Sequence, residues 1–376
     1  MLKIALVHDY LTQRGGAERV FELLCRYFPQ ADIFTSVYDP KQTVALNERK
    51  IYTTFLQAIP FSKRYFRLFA PLYFPAFRSL DLRQYDLIIS STSSFAKAVK
   101  KREDAIHVCF CHNVTRFIWN TQFYLQEYHN YRSFTPILSS VFKALKQQDF
   151  RYAQEPDIYI ANSTTVAKRI QSIYKREAFV VNYPVDTENF TFSSQKEPYY
   201  LVSSRLISYK RIDIIVETFN WLGWPLLIIG DGPERTYLEK KALDNIQFLG
   251  FVNDELRKFF MSKAQGVIVA ALEDYGLVPI EANLSGTPVI AYGAGGILDT
   301  QIHEHTGLLF KQQTPDALYK ALCQAASHSW DYQNIREHAL SNFSEKVFFE
   351  KIMKILEAQM NLNEKLKLNL NQIKLV

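Results

Sequence analysis

Short apolar runs followed by helical patterns recur along both halves of the chain, and this alternation leaves few folds open. Lys3-Ile4-Ala5-Leu6-Val7 leads into Ala17 to Leu24, and later runs stand at Asp86 to Ile89, Ala105 to Phe110 and Asp157 to Ile160. The second half repeats the scheme: Tyr199 to Val202 precedes Ile212 to Phe219, Gly266 to Ala271 precedes Pro279 to Leu284, and Pro288 to Ala291 precedes a helix near Ile297. Strands alternating with helices predict an α/β protein with parallel sheets. At 376 residues, 48% hydrophobic and 14% aromatic, the chain is long and apolar enough for two domains with substantial cores. The polar, aperiodic stretch from Asp186 to Pro198 divides them, giving residues 1–190, residues 199–345, and a helix and tail over 346–376.

Two carboxylates mark one handover from strand to helix. Glu273 and Glu281 bound the segment Glu273-Asp274-Tyr275-Gly276-Leu277-Val278-Pro279-Ile280-Glu281, with Pro279 in the first turn of the helix. Glu273 is then expected at the strand's carboxyl end, where open α/β sheets bind ligands, and Glu281 inside the helix. Gly276 lets the backbone come close to a ligand there. Acids so placed suit the hydroxyls of a polyol; the plainer reading is a pair of acids favoured by a helix N-terminus.

Upstream, Ser203-Ser204-Arg205-Leu206-Ile207-Ser208-Tyr209-Lys210-Arg211 joins a strand to a helix. Arg205 and Lys210 converging beside helix amides make a site for a diphosphate, whereas Arg211 reads as part of a solvated helix face. Gly15-Gly16 and Gly293-Ala294-Gly295-Gly296 are two further turns where backbone N–H groups can face a phosphate or a sugar. The G-x-G-x-x-G spacing of a dinucleotide site is absent. His112 follows a strand, beside Asn113 and near Arg116, and reads either as a structural histidine or as a site residue; His8 and Asp9 are additional candidates for the same cleft.

The stretches Gly15-Gly16-Ala17-Glu18-Arg19-Val20, Ser90 to Lys97, Cys111-His112-Asn113, Ala161-Asn162-Ser163, Ser204 through Asp213, Ile229 to Pro233, Glu273 through Glu281 and Gly295-Gly296 follow in this order. Together they resemble the retaining glycosyltransferases of family 4, which have the GT-B fold. Ala31 to Pro40 and Phe117-Ile118-Trp119 are similar to bacterial mannosyltransferases of O-antigen and capsule assembly. The resemblance implies two Rossmann-like domains with parallel sheets facing across a cleft, the first on the acceptor side, the second binding the nucleotide sugar, and a last helix crossing back to the first. It implies transfer of a hexose, foremost mannose from GDP-mannose, to a lipid-linked or polysaccharide acceptor. A UDP-sugar or GDP-fucose donor is one alternative, and a non-catalytic membrane adaptor is another.

On this resemblance Arg205 and Lys210 stabilise the charge of the departing diphosphate, Glu281 holds the ribose and Glu273 the hydroxyls of the donor sugar. Gly15, Gly16, Gly276 and Leu277 line the donor, and His112 matches the family's active-site histidine, beside the transferred sugar. Attack from the leaving-group face, with a diphosphate oxygen as base, requires neither a metal nor a cofactor besides the nucleotide-diphosphate sugar. The chain departs from the subgroup at Asn113-Val114, where Thr-Pro is usual, and at Val269 to Leu272, which lacks a Phe-Pro. These departures bear on acceptor choice and loop shape.

Cys25, Cys109, Cys111 and Cys323 show no disulfide framework. Cys109, Cys111 and His112 invite a zinc reading, but no fourth ligand is evident, and buried strand cysteines are expected instead. The chain begins Met1-Leu2-Lys3 and enters a strand at once, without a signal-type apolar stretch or a bilayer-long run, which predicts a cytoplasmic protein. Residues 61–85 combine Lys63, Arg64, Arg67 and Arg78 with Phe61, Tyr65, Phe66, Phe69, Tyr73, Phe74 and Phe77. Rings with interleaved cations suit an anionic membrane surface, here the inner face of the plasma membrane; an aromatic core segment with solvated arginines fits equally. No nucleic-acid signature accompanies the net charge of +6.

Overall fold

A computed structural model describes residues 2–46, 49–120 and 135–360. The chain divides into two compact units, Met1–Val181 together with the chain from Ile352, and Asn182–Lys351. Each is built on its own parallel sheet.

In the first unit the strands are β1 (Ile4–His8), β2 (Asp32–Thr35), β3 (Ile51–Thr53), β4 (Leu87–Thr92), β5 (Ile106–Cys111), β6 (Ile158–Ala161) and β7 (Phe179–Val180). They lie in the order β3-β2-β1-β4-β5-β6-β7. Every residue of β1, β4 and β5 is buried. A parallel sheet covered by helices on both faces requires that, and it explains why these runs read as continuously apolar. The amphipathic helix Gly16–Tyr27 contributes Val20, Phe21, Leu23 and Leu24 to the cover.

The second unit holds β8 (Tyr200–Ser203), β9 (Leu226–Ile229), β10 (Ile246–Gly250), β11 (Gly266–Val269), β12 (Val289–Tyr292) and β13 (Gly307–Phe310). Their order is β10-β9-β8-β11-β12-β13. Ile215 and Phe219 of the helix Ile212–Leu222 pack with Val202, Ile228, Ile268 and Ile290 of the strands in one core. Both units are Rossmann-like, and the fold is α/β of the GT-B type.

The strand order places a switch point in each sheet. From β1 the chain proceeds to β2 and β3 on one side and returns to β4 on the other, pairing His8 with Ser91 in register. From β8 it proceeds to β9 and β10 and returns to β11, pairing Leu201 with Val267. At such a point the loops after two neighbouring strands diverge and leave a crevice at the carboxyl edge.

The polar stretch around 186–198 is held by the second unit. Glu197 donates its N–H to the Lys263 carbonyl at 2.7 Å, and Lys196 Nζ donates to Thr287 Oγ1 at 2.7 Å. The aromatic stretch after residue 60 divides its rings. Phe66, Tyr73, Phe74 and Phe77 are buried, the last three in the short helix Ala70–Arg78, while Phe61 and Leu68 are 75% and 70% exposed beside Tyr65 and Leu72. The core reading accounts for the buried rings of the segment.

Candidate active site

One acid–cation pair joins the loops leaving the switch point of the second sheet, and a second joins the helices before and after β11. After β8 the chain runs through Arg205 into a single 3-10 turn, Ser208–Lys210, and Arg211 takes a left-handed conformation (φ 54°) before the helix Ile212–Leu222. After β11 it reaches Glu273, and Lys210 Nζ donates to Glu273 Oε1 at 2.6 Å, with the two side chains 17% and 18% exposed. Four residues on, the helix Leu277–Leu284 begins behind Gly276, whose φ of 92° no L side chain adopts cheaply. Glu281 lies one turn into that helix and accepts from Arg257 Nη1 at 2.6 Å.

Arg257 belongs to the helix Asp254–Lys263, capped by the Asn253 side chain, and also pairs with Asp254 at 2.8 Å. Burial alone lowers the affinity of its guanidinium for the proton, but the charge of Glu281 and the hydrogen bond to it outweigh burial and hold it above the ordinary value. The sequence reading missed Arg257. The spacing Asp254, Arg257, Lys258 looks like a solvated helix face, and only the fold turns one of its cations inward.

Arg205 is exposed and donates Nη2 to the Tyr209 hydroxyl at 3.3 Å. Lys210, held against Glu273, has its Nζ 5.3 Å from the centroid of the same Tyr209 ring. Gly293 to Gly296 differs from expectation. The Gly296 N–H donates to the Glu273 carbonyl at 2.8 Å, and a Cβ there would stand 2.4 Å from the Asp274 carbonyl oxygen. That glycine lets two loops of the protein approach each other and supports the backbone of Glu273, so its amide is spoken for. Tyr275 anchors the same loop by donating its hydroxyl to the Tyr183 carbonyl at 2.6 Å.

In the first unit the corresponding edge gathers histidines. His8 ends β1, Ser91 lies near the end of β4 and His112 follows β5. Ser91 Oγ is 2.7 Å from His112 Nε2 and 3.2 Å from His8 Nδ1. Burial pushes the His112 imidazole down to about 3, and the neighbouring His8 adds to the effect, so the ring is neutral at physiological pH. Asp9, read beside His8 as a cleft contact, is a scaffold instead. Its carboxylate accepts from Thr92 Oγ1 and from the N–H groups of Ser93, Phe95 and Ala96 at 2.7–2.8 Å.

Lys97 and Asp149, both fully buried and 2.6 Å apart, pin the segment after His112. Asp149 also accepts from Thr115 Oγ1, Trp119 Nε1 and the Tyr174 hydroxyl. Cys109 and Cys111 are buried, with the Cys111 thiol turned to the Asn113 carbonyl at 3.0 Å. Among the described residues no group of three or more His, Cys, Asp or Glu is arranged to hold a metal ion. Gly15 caps the helix Gly16–Tyr27 in extended conformation, with the Glu18 carboxylate folded back over it.

Comparison with known proteins gives the family. Residues 14–189 match the family model for Glycosyltransferase Family 4 and residues 186–346 the model for Glycosyl transferases group 1. An uncharacterised glycosyltransferase of Methanocaldococcus jannaschii is 33% identical over 129 residues, 33% of this chain; the matched stretch spans 32% of that protein's own length. A sucrose-phosphate synthase of Thermosynechococcus elongatus superposes with TM-score 0.72 at 19% identity, covering 96% of this chain and all of the other. The Anabaena protein HepE, solved with UDP, superposes with TM-score 0.67 at 17% identity over 95% of this chain and 100% of its own. Two consecutive family matches on two Rossmann-like units place this chain among the GT-B glycosyltransferases of the family 4 type.

Proposed function

We propose that the protein transfers a hexose, with retention of configuration, from a nucleotide-diphosphate sugar to a lipid-linked or polysaccharide acceptor in cell-surface glycan synthesis. The observation that carries this reading is the double pairing in the second unit, Lys210 with Glu273 and Arg257 with Glu281. An ammonium has three donors. One of them on Glu273 leaves others for a diphosphate, whose developing charge Lys210 and Arg205 then offset. Glu273 keeps lone pairs for sugar hydroxyls, and Glu281, fixed by Arg257, for the diol of a ribose. Gly276 and Leu277 bring the start of their helix toward the donor. In the first unit Gly15 and Gly16 are assigned to the donor and His112 to the transferred sugar.

GDP-mannose is the donor put first. A UDP-hexose is the second reading, favoured by the HepE structure with UDP. The exposed Phe61, Tyr65 and Leu68, interleaved with Lys63, Arg64 and Arg67, suit a peripheral position on an anionic membrane where a lipid-linked acceptor is presented. Among the described residues no helix is long and apolar enough to cross a membrane.

The test is release of nucleoside diphosphate from GDP-mannose and, separately, from UDP-glucose, without acceptor and with membrane extracts as acceptor. Release from GDP-mannose, reduced at least about tenfold in Lys210→Ala, is expected. Release from UDP-glucose alone overturns the mannose assignment, and undiminished turnover in both Lys210→Ala and Glu281→Ala overturns the donor site.

A further inference from the structure

Arg257 holds two carboxylates from one position. Its Nη1 donates to Glu281 Oε2 at 2.6 Å, while Nε and Nη2 both donate to Asp254 Oδ1, at 3.1 and 2.8 Å. Asp254 is itself set in place. Its other oxygen, Oδ2, lies 3.0 Å from Lys258 Nζ, and it stands in the first turn of a helix whose cap, Asn253, accepts from the Leu256 N–H at 2.8 Å. The guanidinium is therefore clamped to its own helix, Asp254–Lys263, and reaches from there to the helix Leu277–Leu284, where every residue from Pro279 to Leu284 is buried. The Arg257 and Glu281 side chains are 15% and 6% exposed.

A helix so enclosed fixes where the Glu281 carboxylate is, but not how its plane turns. The last torsion of a glutamate is broad and roughly two-fold, so the plane of a lone carboxylate swings over a wide range. A planar fork already seated on Asp254 removes that freedom, because its Nη1 meets Oε2 along a set direction. The two adjacent hydroxyls of a ribose require such a setting: both donate to one carboxylate only when its oxygens face the diol. An ammonium at residue 257 would supply the charge without the fork.

We propose that Arg257 is a positioning residue which, through Glu281, makes the second unit select a ribonucleotide over its 2′-deoxy counterpart. The inference rests on the place proposed for the ribose at Glu281. Arg257 acts on Glu281 rather than on the donor, and the carboxylate it orients is the acceptor that the 2′- and 3′-hydroxyls meet. The ribose is held alike before and during transfer, so loss of this setting falls on KM rather than on kcat. The diphosphate and the transferred sugar are assigned to Lys210 and Glu273, which makes the effect on the ribose separable from theirs.

The test is calorimetric binding of GDP, UDP and their 2′-deoxy forms to the full chain. On whichever of GDP and UDP binds, the wild type is expected to favour the ribo form about tenfold or more, the weight of a hydroxyl bonded to a charged acceptor. Arg257→Met is expected to bring that ratio within about twofold of unity by weakening the ribo form alone. Arg257→Lys keeps the counter-charge, and its ratio is expected to fall at least about threefold for want of the fork; it carries the test alone if Arg257→Met does not fold by circular dichroism. A ratio lost in Glu281→Gln but kept in the folded Arg257 variants overturns the inference and leaves the ribose at Glu281. Equal binding of the ribo and deoxy forms by the wild type, or binding of neither nucleotide, overturns the placement of the ribose and the inference with it. On the sugar nucleotide that the wild type turns over, Arg257→Met is expected to raise KM about tenfold with kcat within about twofold. A fall in kcat at unchanged KM overturns the positioning role.

Discussion

Glu281 is nearly enclosed, its side chain 6% exposed, and Arg257 is the cation that makes its charge tolerable there. Removing one partner of such a pair leaves the other charge buried and costs about 3 kcal/mol. Arg257→Ala is therefore expected to lower the urea midpoint of the second unit's unfolding, and Arg257→Ala with Glu281→Ala to recover much of the loss; equal midpoints for wild type and single variant would show the pair to be screened. In the first unit, burial pushes His107 from its ordinary 6.5 to about 3, as it does His112. The unfolded chain then takes up protons that the native state refuses, so stability is full above pH 6.5 and falls as pH drops toward 3. His107→Gln should flatten that slope in thermal melts across pH 7 to 4, and an unchanged slope would assign the acid loss elsewhere. At this scale Glu273, Glu281, Lys210 and His112 could be picked out by their place relative to strand ends. Arg257 and Ser91 could not, since a helix-face arginine and a strand serine carry no chemical signature until the fold turns them toward a partner.

Elements rather than residues decide which of those partners meet. Lys210 and Glu273, 63 positions apart, meet because β8 and β11 are neighbours in the sheet, and Arg257 and Glu281, 24 apart, meet through the helices Asp254–Lys263 and Leu277–Leu284 that flank β11 in the chain. The apolar runs foretold strands and their burial, but the 3-10 turn Ser208–Lys210 has no periodicity to betray it. The helix Thr135–Tyr152 gives a second case, where Asp149 reads as a surface charge yet binds Lys97, Thr115, Trp119 and Tyr174. Asp149→Asn would leave the Lys97 ammonium buried without a counter-charge, at a cost of about 3 kcal/mol. A fall in the first unit's melting temperature, reversed by adding Lys97→Met, is the expected result; an unchanged melting temperature would mean that Lys97 gives up its proton instead.

For the whole molecule, parallel sheets in both halves were legible from the alternation of runs, whereas the surface around Phe61 was not, because the same ring residues serve a core and an exterior. Its cations test the membrane reading. Each Lys or Arg near an anionic surface contributes about 1 kcal/mol, so Lys63→Glu with Arg64→Glu should weaken binding to phosphatidylserine vesicles more than about tenfold, and equal sedimentation of both forms would remove the surface from the argument. Arg67 is left intact in this test because it is tied to Gln13.

The first unit is discontinuous: Ile352 and Leu356 are fully buried, and the chain from Ile352 is grouped with Met1–Val181. The ribosome supplies these side chains only after the whole of the second unit, roughly 10–30 s later at ordinary elongation rates. Throughout that interval the nascent first unit lacks a segment that is grouped with it in the finished fold. Its last packing step thus follows synthesis of the whole second unit, and a chain cut short before Ile352 leaves its first half a natural client for chaperones.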